Sequence, residues 1–80
     1  MGGLHEDPDS NVKLTSREVQ ILQLAAEGKT NAQIAKELHI SRRTVCSHIE
    51  NILFKMQVKN RIQAIILAYK LGLIDLSIFD

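Results

Sequence analysis

Apolar residues between positions 14 and 71 recur at helical rather than strand spacing, and four helices account for them. The first begins at Thr15, where T-S-R-E is a capping box with Glu18 reaching back and Leu14 placed as a staple. Ile21, Leu22 and Ala25 share one face flanked by Leu24, Val19 sits partly off it, and Gly28 is the expected left-handed stop after Glu27. Thr30, with Gln33 three residues on, caps a second helix, Asn31 to Leu38, whose Ile34, Ala35 and Leu38 form a narrow buried stripe. His39 and Ile40 form a turn, and Ser41 caps a third helix from Arg42 to Gln57. In it Val45, Ile49, Ile52, Leu53 and Met56 recur at steps of 4, 3, 1 and 3, a sustained apolar face. Its other side carries Arg43, Ser47, Glu50 and Asn51, with Arg42 near the start and Lys55 near the end. A helix backed onto a core with a cationic polar face is what reading a DNA major groove requires.

The fourth helix, Arg61 to Leu71, is capped by Asn60 and ended by Gly72. Its Ile62, Ala64, Ile65, Ile66, Leu67, Ala68, Tyr69 and Leu71 leave only Gln63 and Lys70 clearly polar. Such a helix is either central to the fold or packs one face on the core and the other on a partner. The last helix of a small domain is seldom central, so a partner is expected, most simply the same helix of a second copy in an isologous contact. The apolar stretch 73–79 is expected to fold back over this surface. Phe54 lies away from the core face of the third helix and meets either that tail or a partner.

Eighty residues make one small domain, and 45% hydrophobic content with three aromatics means an aliphatic core. Residues 1–12, with Gly2, Gly3, Pro8 and several acids, read as a flexible arm or linker remnant, 13–75 as the folded domain and 76–80 as a tail. One cysteine excludes an intrachain disulfide and a multi-cysteine zinc site and fits a reducing, cytoplasmic setting. No apolar run approaches the roughly 18 residues of a membrane span.

The net charge of +1 hides an asymmetry. Residues 1–10 sum to −3, whereas 41–63 hold Arg42, Arg43, Lys55, Lys59 and Arg61 against Glu50, giving +4. Such clustering suits phosphate contacts, although a solvated helix face also carries charge. Cys46 and His48, at i and i+2, point about 200° apart on a helix and cannot ligate one ion together. His48 is expected to be structural and the thiol inert. There is no phosphate-cradling glycine loop, no paired-carboxylate cleft and no G-x-S-x-G, so neither enzymatic activity nor a cofactor is expected.

Several separated stretches resemble the DNA-binding domain of the LuxR/GerE family of bacterial transcription regulators, which is also the output half of NarL-type response regulators. They are L-T-S-R-E (14–18), I-L-Q-L-A-A-E-G-K-T-N-A-Q-I-A (21–35), L-H-I-S-R-R-T-V (38–45), His48, N-I-L-F-K-M (51–56) and V-K-N-R-I-Q-A (58–64), agreeing in spacing across roughly 14–74. The resemblance implies an all-α four-helix domain, with the second and third helices forming a helix-turn-helix and the fourth joining homodimers through Ile62, Ile66, Tyr69 and Lys70. Thr30 and Asn31 become phosphate contacts, and Arg42, Arg43 and Thr44 suit phosphates or a base edge. Val45, Cys46 and Ser47 follow on the side facing DNA, with Glu50, Asn51 and Lys55 beyond. Glu18 and Arg61 are also family-type positions and are expected to form an ion pair, unless Glu18 serves only the capping box and Arg61 a phosphate.

One departure stands in the reading helix: the family usually shows T-V-K-x-H, and here it is T-V-C-S-H. Cys46 thus replaces a lysine that commonly contacts DNA, and Glu50 is acidic where some relatives carry a base. Glu50 either accepts from a cytosine amino group or weakens binding.

The expected function is therefore dimeric, sequence-specific binding of double-stranded DNA in transcription regulation, at a roughly palindromic site with half-sites about one helical turn apart. RNA polymerase is a further expected partner. The alternative is a helical protein-interaction module that has lost DNA affinity, motivated by Cys46, Glu50 and the low net charge. With no room for a receiver or sensor, the chain is expected to be the output domain of a larger regulator or a short stand-alone one.

Overall fold

The computed structural model describes residues 13–76 and forms them into four helices with no strand among them. They are α1 (Ser16–Ala26), α2 (Asn31–Leu38), α3 (Arg42–Met56) and α4 (Arg61–Lys70). The expected arm at 1–12 and the end of the expected tail, 77–80, lie outside the described residues. All four N-caps are the expected polar residues. Thr15 and Thr30 head complete capping boxes, and Ser41 and Asn60 accept the N–H groups of Thr44 and Gln63.

The helix ends share one device that the residue types announce only half the time. Gly28 and Gly72 adopt the left-handed conformation as expected, at φ 90 and 76. His39 and Gln57 adopt it too, at φ 60 and 57, in spite of their β-carbons. In each case the next N–H bonds back five residues, from Ile40 to the Ala35 carbonyl at 3.0 Å and from Val58 to that of Leu53 at 3.1 Å. Ile40 and Val58 then pack against the core, and this burial holds a non-glycine residue in the strained region. The α3 boundary consequently falls at Met56, and Gln57 belongs to the turn.

The first and third helices each pack on all the others, whereas the backbones of α2 and α4 stay apart. Ile21, Leu22, Ile34, Val45 and Ile52 are the largest fully buried side chains, so α1, α2 and α3 build the centre of the core. The fourth helix approaches through two small residues, Ala64 and Ala68, both fully buried. Of the two placements open to it, the observed one has a core face and a bare face: Ile62, Ile66 and Tyr69 are 64%, 50% and 54% exposed. The described part of the chain after α4 turns onto the core through Leu73, Ile74 and Leu76 and not over that outer face, and the rest of the apolar stretch, 77–79, lies outside the described residues. Both polar ends of the Gln23 amide hold the backbone of Asp75, at 2.7 and 2.8 Å.

One charge is buried among these apolar residues. Glu18 is 4% exposed, and its Oε1 accepts both the Thr15 N–H at 2.9 Å and the Lys55 ammonium at 2.8 Å. The expected partner, Arg61, is engaged elsewhere, so the tie runs from α1 to α3 rather than to α4. The periodicity of α3 put Lys55 on the outer side, but its long stem lets the ammonium turn toward α1. Burial pushes the Glu18 carboxyl up, but the bonds from Lys55 and Thr15 outweigh it and hold it below its ordinary value.

The folded state therefore binds this proton more weakly than the unfolded chain. The resulting stability is present above the unfolded carboxyl range, about pH 4.3, and is lost as pH falls through the lower folded value. Thermal melting from pH 7 to 3 should show Tm falling in acid, and Glu18→Gln should be less stable at pH 7 with a shallower acid fall. Parallel pH profiles for the two proteins would exclude this role.

Candidate nucleic-acid interface

The capped start of α3 decides which of its side chains face outward. Arg42, Arg43, Cys46, Ser47, Glu50 and Asn51 are exposed along one side, while Val45, Ile52 and Met56 are buried on the other. Val45 is 0% exposed and cannot offer its side chain to a groove, a correction to its place among the candidate contacts. Thr44 is half-buried, its hydroxyl 2.9 Å from that of Ser41, so it stabilises the cap as well as edging the surface. Lys55 is drawn into the pair with Glu18, and its charge is directed at α1 instead of outward.

The α2 candidates are also partly occupied. The Thr30 hydroxyl accepts the Gln33 N–H at 3.2 Å, and its own N–H goes to Gln33 Oε1 at 2.8 Å. Asn31 sits at a junction of three helices. Its carbonyl oxygen accepts from an Arg61 Nη at the start of α4, and its Nδ2 donates to Cys46 Sγ on α3 at 3.3 Å. This amide is thus a bracket between elements, which is not the phosphate-facing role expected of its side chain. Arg61 is half-buried, and its Nε has no hydrogen-bond partner among the described residues. The Glu18 pair expected of Arg61 is replaced by this internal bond. Nothing in the spacing of the chain marked Arg61, Asn31 and Cys46 as a set, because they are 15 and 30 positions apart and meet only when α2, α3 and α4 converge.

Cys46 is exposed, and His48 is half-buried. Phe54 is 83% exposed, beyond the polar stripe toward the end of α3. No helix among the described residues is long and apolar enough to cross a membrane.

A two-helix unit with a left-handed turn, backed by a third helix and presenting a polar, arginine-bearing stripe, defines a helix-turn-helix domain. A model of the GerE family, bacterial regulatory proteins of the luxR family, matches residues 12–68. The chain belongs to that family, as a helix-turn-helix domain of the DNA-binding, transcription-regulating kind. It is similar to the transcriptional regulatory protein LiaR of Bacillus subtilis (strain 168), at 50% identity over 62 residues, covering 78% of this chain and 29% of that protein. Similarity to the transcriptional activator protein SolR of Ralstonia solanacearum is 45% over 67 residues, 84% of this chain and 28% of that one. The solved structure of the transcription factor GerE superposes with a TM-score of 0.78 at 39% identity, covering 80% of this chain and 96% of that one. The chain thus spans less than a third of the curated relatives it matches.

Removing the Asn31 amide leaves the half-buried Arg61 guanidinium without its acceptor, a loss of about 1–3 kcal/mol. Asn31→Ala and Arg61→Gln should each lower Tm, and the double variant should lose clearly less than their sum, since the two share one bond. Strictly additive losses in urea unfolding would separate the pair.

Proposed function

We propose that this chain binds double-stranded DNA sequence-specifically as the output domain of a bacterial transcription regulator. In this reading residues 13–75 are the working unit, α3 lies in the major groove, and two copies join through α4. The observation that carries it is the division of α3. One side is locked into the core by Val45, Ile52 and Met56, and the other keeps Arg42, Arg43, Ser47 and Asn51 exposed.

Those four side chains make no hydrogen bond or ion pair through their ends among the described residues, whereas Lys29, Lys55 and Arg61 are engaged with Glu37, Glu18 and Asn31. Arg42 and Arg43 stand together on the first turn of α3, the part of a recognition helix that enters the groove first. The opening turn of α2 adds backbone N–H groups and the positive end of a helix dipole, which suit a phosphate.

Dimerisation is supported by the outer face of α4. Ile62, Ile66 and Tyr69 lie at i, i+4 and i+7, each at least half exposed, and Lys70 edges the row. A face of this kind meeting its own copy forms a two-fold contact in which each residue is used twice. Two reading helices on one such axis would address half-sites about one helical turn apart.

Fluorescence anisotropy on mixed-sequence duplex DNA at two salt concentrations tests the first part. Affinity should fall steeply with salt, and Arg42→Ala should weaken binding and reduce the log–log slope by about one. No binding at low salt, from a protein that is still dimeric, would favour a protein-interaction module. Sedimentation equilibrium tests the second part. Ile66→Glu should raise the dimer dissociation constant at least about tenfold with an unchanged circular dichroism spectrum, because the side chain is exposed in the monomer. An unchanged constant would remove α4 from the interface.

A further inference from the structure

The exposed stripe of α3 carries one residue that a phosphate-binding surface does not explain. Glu50 is exposed at the middle of the helix, and among the described residues its carboxylate makes no hydrogen bond or ion pair. The usual reasons for a surface glutamate are missing. Its neighbours at i±3 and i±4 are Ser47, Leu53, Cys46 and Phe54, so no intrahelical cation faces it. It is too far from the α3 N-terminus to gain from the helix dipole, whose effect is confined to the first turn. Against a phosphate backbone a free carboxylate is repelled, so in the groove it needs a donor to offset that cost. Base edges supply two kinds, the amino groups of cytosine and adenine, and a pure acceptor matches cytosine N4, whereas adenine couples its donor to an N7 acceptor that a carboxylate cannot serve.

The second residue of the pair is Arg43, seven positions earlier and on the same side, two helical turns away. Its guanidinium is also exposed and unbonded among the described residues. Arginine on a base edge takes the O6 and N7 acceptors of guanine. Seven residues of helix rise about 10.5 Å, and stacked bases are about 3.4 Å apart, so the two side chains fall about three base-pair steps apart.

We propose that Glu50 is a specificity-determining residue that accepts from the N4 amino group of a cytosine, about three base pairs from a guanine taken by Arg43. The proposal rests on the DNA-binding reading above and adds the composition of the half-site to it. A carboxylate here trades general affinity for discrimination, since it repels every sequence and is compensated at one.

Repeated selection from random-sequence duplexes, run in parallel with the wild type, Glu50→Ala and Glu50→Gln, tests it, with mixed-sequence binding as a separate control. The wild type should select a half-site with guanine and cytosine about three steps apart. Glu50→Ala should lose the cytosine preference, a change of roughly fivefold or more at that position alone. It should also bind mixed-sequence DNA somewhat more tightly. Glu50→Gln should move the preference toward adenine, whose N6 and N7 match an amide. If the proteins bind mixed-sequence DNA but all three select the same base everywhere, or the wild type selects adenine there, the assignment to cytosine is overturned and DNA binding stands. If the wild type binds no duplex at low salt, both fall together.

Discussion

A fifteen-residue helix has room for one buried stripe and one bare one, and α3 needs both. Its buried stripe packs on α1, α2 and α4, so the core of the domain is built on it. Its bare stripe must stay polar and unpaired for the proposed contact with DNA. The same rotation of the helix about its axis sets both. Any change that turns α3 to improve the core moves Arg43 and Glu50 as well, and the rigidity of the reading surface is therefore inherited from the packing of Val45 and Ile52.

In so small a domain the apolar area is limited, and polar ties do part of the positioning. Glu18 fixes the end of α3 to α1, and Asn31 fixes its beginning to α2 and, through Arg61, to α4. The two ties sit toward opposite ends of α3, which resists tilting as well as sliding. Both also withdraw a cation from the surface, leaving the arginines of the first turn as the open cations of α3.

The fourth helix shows how side-chain size allots roles. Alanines at 64 and 68 let it approach closely, and the bulkier Ile62, Ile66 and Tyr69 are left outside. A helix made apolar nearly all round is then able to serve the core with its small residues and, in the proposed dimer, a second copy with its large ones.

The sequence by itself determined the four helices, their caps, the buried stripe of α3 and the family, because these depend on local spacing and on short polar signals within one turn of the chain. The left-handed conformations at His39 and Gln57, and with the second the end of α3 at Met56, escaped it, since neither residue favours that region and burial of the next residue holds it there. Among the candidate contacts, periodicity alone located Arg42, Arg43, Ser47, Glu50 and Asn51 on the outer side. The partners of Glu18, Asn31 and Arg61 were decided by tertiary structure. Bonds between residues 15 to 37 positions apart depend on how three helices converge, and a flexible lysine or arginine can reach any acceptor that convergence brings near.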